Sequence, residues 1–139
     1  MKKLLLLLSF LVSQLFAEQC TEEQYKPEFD KKNDRYIFSN SSVYGNSVFD
    51  KKSIVYDKVN QKIVCWVIYQ DFESPKYGKY KVFWEYNLKN NQVRVIEANG
   101  YKCNGKLINE ESKGDWYNIV PNSANELVLN NLKKYLNIQ

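Results

Sequence analysis

The sequence predicts an α+β fold, in which an antiparallel β-sheet meander is packed on one face by a C-terminal α-helix. Two observations predict it. Apolar residues alternate with polar ones along several short segments between residues 35 and 108, separated by turn signals. After Pro121 the apolar period becomes helical. Residues 34–139 are therefore expected to form a single domain with strands first and a helix last.

The segment Lys62–Asp71 carries the strongest strand signal. Its residues are apolar on both faces, with Cys65 on one face and Trp66 on the other. A strand of this kind belongs in the middle of a sheet that is covered on each side. Trp66 and Trp84 are accordingly assigned to the structural core, since aromatic rings dominate core burial.

Two hairpins are predicted after this strand. Residues 80–88 alternate with a period of two, and Asn90-Asn91 reads as a two-residue turn that would place Leu88 opposite Val93. Asn104-Gly105 gives a second hairpin signal. The strands therefore form a meander.

The end of the chain predicts a capped helix of about three to four turns. Ser123 and Glu126 have the capping-box spacing, and Trp116 and Pro121 are expected to seat the turn before the cap. The helix is expected to close the sheet rather than to bind a partner. Its apolar stripe comprises Leu127, Val128, Leu132, Tyr135 and Leu136.

The first residues predict export. Lys2 and Lys3 precede a short apolar run that ends at Ala17, which is the plan of a signal peptide over residues 1–17. Glu18 argues against a lipidation signal before Cys20. We expect cleavage after Ala17, no integral membrane segment thereafter, a loosely ordered arm over residues 18–33, and a periplasmic, surface or secreted location.

Charge and composition exclude several functions. Without Lys2 and Lys3, 18 basic residues face 16 acidic ones, which gives nucleic-acid binding little support. The chain has no histidine, so the usual general base and the commonest zinc ligand are missing. Its five glycines form no phosphate-binding loop. We expect no catalytic residue, metal or cofactor.

Three cysteines enter an oxidising compartment if the chain is exported. Cys65 lies in an apolar run and reads as a buried hydrophobe, whereas Cys20 and Cys103 lie in polar surroundings. Three pairings are open, of which we favour Cys20 with Cys103.

The candidate binding segment lies beside a loop and alternates lysine with tyrosine. It could attract an acidic protein or a sulfated glycan through charge and ring contacts. The alternative is that these lysines only guard a sheet edge against unwanted pairing. The residues concerned are Lys76, Tyr77, Lys79, Tyr80 and Lys81.

The chain carries, in this order, the segments Phe49–Ile54, Ile63–Tyr69, Trp84–Asn87 and Trp116–Ser123. The last is the most specific, because it combines a tryptophan, a spacer, Pro121 and Ser123 and is followed by Glu126. Together, these segments resemble the bacterial surface-adhesin protein E family, and the resemblance covers about residues 36–136.

The resemblance implies an antiparallel sheet with a C-terminal helix, displayed outside the inner membrane, and adhesion to host matrix and plasma proteins. Family members commonly carry a cysteine after the segment that matches Trp84–Asn87 and another near the end of the final helix. The first position falls near Leu88 here, and the helix has no cysteine. The alternative function is a periplasmic module that binds or inhibits an envelope protein, and homo-oligomerisation is left open.

Overall fold

The computed structural model describes residues 24, 28–42, 45–71 and 78–139. Within these residues, eight strands form one antiparallel sheet, and a helix follows them. The predicted meander with a C-terminal helix is confirmed. The elements are β1 Tyr36–Ser42, β2 Gly45–Asp50, β3 Val55–Asp57, β4 Lys62–Asp71, β5 Lys79–Asn87, β6 Gln92–Tyr101, β7 Leu107–Ser112, β8 Tyr117–Asn118 and α1 Ala124–Leu136.

The strand order in the sheet is β1-β2-β4-β5-β6-β7. Outside this order, the short strand β3 pairs with β4, and the short strand β8 pairs with β6. Strands β2 and β3 lie in succession along the same edge of β4, joined by a 3-10 turn over Lys51–Ser53. The Ser53 hydroxyl accepts a hydrogen bond from the Trp66 N–H at 2.8 Å, which bridges the gap between the two strands. Strands β7 and β8 share the edge of β6 in the same way. The central strand β4 is therefore paired along both sides, as its apolar sequence predicts.

The hairpin between β5 and β6 has a different register from the predicted one. Asn87 pairs with Gln92, so the loop has four residues, Leu88–Asn91, rather than two. The Leu88 N–H donates to the Gln61 carbonyl of the neighbouring loop, and the Asn87 side chain accepts from the Asn90 N–H. These bonds draw Leu88 out of the ladder, and the predicted pairing of Leu88 with Val93 is wrong.

The hairpin between β3 and β4 repeats this design. Asp57 pairs with Lys62, and the Asp57 carboxylate accepts from the Val59 and Asn60 N–H groups at 3.0 Å. The fourth loop residue is left-handed in both hairpins, with φ of 54° at Gln61 and 51° at Asn91. A short acceptor side chain at the last strand residue thus fixes a four-residue loop in each.

The hairpin at Asn104-Gly105 is confirmed. Tyr101 pairs with Leu107, and the Lys102 N–H donates to the Lys106 carbonyl at 2.9 Å. Gly105 has a φ of 85°, a conformation that a glycine adopts without strain.

One face of the sheet forms the main core with α1, and we call it the inner face. Alternating residues of the central strands supply most of it, and α1 adds three side chains. The rings of Phe49 and Tyr135 meet edge to face, with centroids 5.9 Å apart, where the helix packs on the sheet. The buried members are Phe49, Ile63, Cys65, Val67, Val82, Trp84, Tyr86, Val93, Ile119, Val128, Leu129 and Leu132.

The entry into α1 follows the predicted plan with one difference. The Ser123 N–H donates to the Val120 carbonyl, and Asn122 has a φ of 61°, so Pro121 and Asn122 occupy the two central positions of a tight turn. The Ser123 hydroxyl accepts from the Glu126 N–H at 3.3 Å. The Glu126 carboxylate, however, accepts from the Asn122 N–H at 2.6 Å rather than from the cap residue itself.

The buried stripe of α1 includes Leu129 in place of the predicted Leu127. Val128, Leu129 and Leu132 are buried, whereas Leu127 is 41% exposed and Tyr135 is 44% exposed. Counting Leu127 as a core residue was therefore wrong. Leu129, four residues after the partly buried Asn125, completes the helical stripe instead. The helix ends at Asn137, which is left-handed.

The described residues contain no helix that is both long and apolar enough to cross a membrane. The predicted signal peptide over residues 1–17 lies outside them, so export stays a prediction.

Candidate binding surface

The face opposite α1, which we call the outer face, carries the largest collection of paired charges and open aromatic rings. Side chains alternate between the two faces along each strand, so the residues of β5 that flank buried Val82 and Trp84 point outward. Arg94 of β6 pairs with Glu85 and lies on the same face. The outer-face residues of β5 are Lys79, Lys81, Phe83 and Glu85.

An aromatic pair occupies the middle of the outer face. Trp66 of β4 and Phe83 of β5 are cross-strand partners, and their rings stack with centroids 5.1 Å apart at 20°. Both side chains are half-buried. The stack adds about 0.5–1.5 kcal/mol to what burial alone supplies and holds two flat apolar rings in fixed positions.

A charged cluster, the Glu85 cluster, borders this pair on one side. The carboxylate of Glu85, a residue that is 8% exposed, pairs with Arg94 and lies 3.4 Å from the Lys62 ammonium. The ring of Trp116 lies against both cations, 4.4 Å from the Arg94 guanidinium carbon and 5.5 Å from the Lys62 nitrogen. These contacts satisfy the buried carboxylate and fix the Trp116 ring at the surface.

A second charged cluster, the Glu28 cluster, lies at the other end of β5. Glu28 is 5% exposed, and its two carboxylate oxygens lie 2.9 Å from the Lys79 ammonium and 3.2 Å from that of Lys81. The Lys81 ammonium also lies 5.4 Å from the centre of the Tyr101 ring. Burial raises the pKa of Glu28, but the hydrogen bond from Lys79 and the two positive charges outweigh it, so the pKa falls below its ordinary value.

The Glu28 cluster ties the end of the N-terminal arm to the sheet. The loose order expected over residues 18–33 stays a prediction for those that lie outside the described residues. Within residues 28–33, Glu28 is anchored on the sheet, and the Asn33 N–H donates to the Asp30 carbonyl at 2.9 Å. Phe29 meets Phe38 edge to face at 6.3 Å. The arm from residue 28 onward therefore packs on the domain.

A third ion pair holds the arm where it enters β1. Arg35 donates to both carboxylate oxygens of Asp50, at 2.9 Å and 2.6 Å. Burial raises the pKa of Asp50, but the hydrogen bonds from Arg35 and the Lys52 N–H lower it by more, so the pKa lies below its ordinary value. The Arg35 guanidinium also lies 5.3 Å from the Tyr36 ring centre.

The predicted binding segment is only partly brought together. Lys79 and Lys81 lie side by side on the outer face, but Tyr80 points to the inner face, as the alternation of the strand requires. The two lysines are also paired with Glu28 and do not form the free basic patch that the sequence suggested. Lys76 and Tyr77 lie outside the described residues.

The three tryptophans, all predicted to be structural, occupy different environments. Trp84 lies in the core and donates its indole N–H to the Tyr69 hydroxyl at 2.9 Å. Trp66 is in the outer-face stack. The ring of Trp116 packs on the outer face against the Lys62 and Arg94 cations, and its expected part in the turn at Pro121 stays a prediction.

The buried thiol is inert. Cys65 is free and fully buried, and burial raises its pKa to about 12, far from the range of a nucleophilic thiolate. The predicted partner of Cys103, Cys20, lies outside the described residues, so that disulfide stays a prediction.

The buried carboxylates of the sheet lie against cations. Within the described ranges, no group of three or more histidine, cysteine, aspartate or glutamate residues could hold a metal ion. The paired carboxylates Glu28, Asp50 and Glu85 all face cations that hold them in place. The sequence analysis did not identify Glu28, Arg94 or Tyr101. Arg94 lies opposite Glu85 only because the loop has four residues; the predicted two-residue turn would have placed Arg94 opposite Asn87.

No protein-family model, curated protein or solved structure matches the chain.

Proposed function

We propose that the chain is an exported, non-enzymatic binding protein of the surface-adhesin protein E type, which attaches to host matrix or plasma proteins or to glycans through its outer face. The observation that carries the proposal is the half-buried stack of Trp66 on Phe83 between two charged clusters. Binding energy in protein interfaces concentrates in a few aromatic and arginine anchors within a polar surround. The outer face has this composition.

Fixed geometry supports the same proposal. The charged side chains of the outer face are held by ion pairs, and Trp116 is held by two cations. Side chains that are already ordered lose little entropy on binding, which favours affinity. The resemblance of the ordered segments to the adhesin family and the predicted signal peptide support a location of this surface outside the cytoplasm.

The test is a binding panel with the purified chain from Glu18 onward. Immobilised matrix proteins, plasma proteins and sulfated and unsulfated glycans are measured against wild type, Trp66→Ala and Phe83→Ala. Leu127→Ala is the matched control, because Leu127 is an exposed apolar residue of α1, which packs on the opposite face. Each variant is first shown to be folded by its unfolding transition.

The proposal expects saturable binding that falls at least about tenfold in the two outer-face variants and stays unchanged in Leu127→Ala. Equal loss in all three variants, or no binding to any member of the panel, contradicts it. Cell fractionation adds a second check. Release by osmotic shock, together with capture of an envelope protein by the same face, would favour the periplasmic alternative over attachment to the host.

A further inference from the structure

The carboxylate of Glu28 is shared by two lysines that lie far from it in the sequence. Glu28 is separated from Lys79 by 51 residues, yet the two side chains meet at 2.9 Å, and Lys81 meets the second oxygen at 3.2 Å. Lys79 is 15% exposed at its side chain and Lys81 is 36% exposed. The two ammonium groups therefore hold one anion between them at the edge of solvent.

The lysines would form an anion site without Glu28. They are two residues apart on β5, so their backbones lie about 7 Å apart and their side chains share one face. Two like charges at this spacing repel each other and attract a counter-ion. The ring of Tyr101 lies beside Lys81 and gives the site an apolar wall.

We propose that Lys79, Lys81 and Tyr101 form a binding site for a sulfated glycan, and that Glu28 is its internal occupant, which a sulfate group displaces. This inference rests on the proposed function and names a ligand class and a regulatory contact for the same outer face. The arm around Glu28 is then autoinhibitory, since it keeps the two lysines neutralised while the ligand is absent.

A sulfated glycan fits the site better than an acidic peptide does. A peptide carboxylate would have to displace an identical group that is attached to the same chain and therefore has an effective concentration in about the millimolar range. A sulfate group brings three oxygens, and a repeating sulfated chain brings many such groups along a flat sheet face. The Tyr101 ring can also pack against a sugar ring.

Displacement of Glu28 does not require the arm to leave the domain. The arm remains tied to the sheet by the Arg35–Asp50 ion pair, and the turn from Asp30 to Asn33 lies between this tether and Glu28. Of the described residues, the displacement requires movement of Glu28, which precedes that turn. Because partly exposed ion pairs are weakened by salt, both the internal contact and the glycan contact are sensitive to ionic strength.

The experiment measures binding of a heparin-derived oligosaccharide to wild type and to Glu28→Gln at moderate ionic strength. Glu28→Gln removes the charge but keeps the shape of the side chain. Asp57→Asn is the matched control, because it removes one negative charge from a distant loop and retains an oxygen for the Val59 and Asn60 N–H groups. Desulfated heparin and a polyglutamate peptide serve as comparison ligands.

We expect Glu28→Gln to raise the heparin affinity at least about tenfold, Asp57→Asn to change it little, and Lys79→Ala or Lys81→Ala in the Glu28→Gln background to abolish the gain. If Glu28→Gln unfolds, Glu28→Asp, which keeps the charge and shortens the reach, should show the same gain in part.

Unchanged heparin affinity in both Glu28 variants overturns the inference, as does an equal gain in Asp57→Asn or for polyglutamate. The proposed function is tested separately from this inference. If Trp66→Ala reduces binding to a host protein while the Glu28 variants leave heparin binding unchanged, the proposed function is retained and the role of Glu28 as an internal occupant is rejected.

Discussion

Two tyrosines in the core differ in one respect that a pair of matched substitutions can test. The Tyr69 hydroxyl accepts the indole N–H of Trp84 at 2.9 Å, whereas the hydroxyl of Tyr86, a fully buried residue, has no hydrogen-bond partner among the described residues. Replacement by phenylalanine removes the hydroxyl oxygen from each tyrosine and changes nothing else in the side chain. Tyr69→Phe leaves a buried donor unsatisfied, which costs about 1–3 kcal/mol, whereas Tyr86→Phe removes a polar atom that gains nothing from the fold.

The expected free energies of unfolding therefore move in different directions. Tyr69→Phe should lower the stability by about 1–3 kcal/mol, while Tyr86→Phe should leave it unchanged or raise it by up to about 1 kcal/mol. Urea unfolding followed by tryptophan fluorescence gives both values, and equal slopes confirm that only stability has changed. A loss of more than about 1 kcal/mol in Tyr86→Phe, or equal losses in both variants, refutes the assignment of partners in this core.

Three further predictions concern the cap, the buried thiol and the arm. Ser123→Ala should lower the stability by about 1 kcal/mol, measured by urea unfolding, while the partner affinity of the folded protein stays the same. Cys65 should resist iodoacetamide in the folded protein and react only in urea, as mass spectrometry would show; rapid labelling in buffer would contradict its burial. Because the pKa of Asp50 is depressed, its contribution to stability is present above its ordinary pKa of 3.8 and is lost as the pH falls through the folded value. Unfolding curves between about pH 5 and about pH 2.5 should show a smaller acid loss in Asp50→Asn than in wild type, and parallel curves would contradict the Arg35–Asp50 pair.

The antiparallel meander could be predicted from the sequence because period and turn signals are local. The apolar run of β4 places that strand in the middle of the sheet, and the alternation of β5 identifies it as a strand, without reference to the rest of the chain. The α1 cap is local too, since Ser123 and Glu126 are three residues apart. The hairpin at Asn90-Asn91 was misjudged because the Gln61 carbonyl, from another loop, takes the Leu88 N–H.

The outer-face site could be predicted only in part. Lys79 and Lys81 stood out because they flank a tyrosine, but alternation along the strand already placed Tyr80 on the opposite face. Glu28 had no local signal, since its contact with Lys79 spans 51 residues. Trp116 looked like part of the helix entry by proximity in sequence, whereas the cations that hold it come from β4 and β6.

The central claim is that the outer face binds the partner, and the three tryptophans report on it directly. Trp66 and Trp116 lie on the outer face and Trp84 lies in the core, so a chain labelled with 5-fluorotryptophan gives one fluorine NMR signal for each environment. Single Trp→Phe variants assign the signals. When a binding partner is added, we expect the signals of Trp66 and Trp116 to shift or broaden while that of Trp84 stays in place. A bound partner that leaves both outer-face signals unchanged would contradict it.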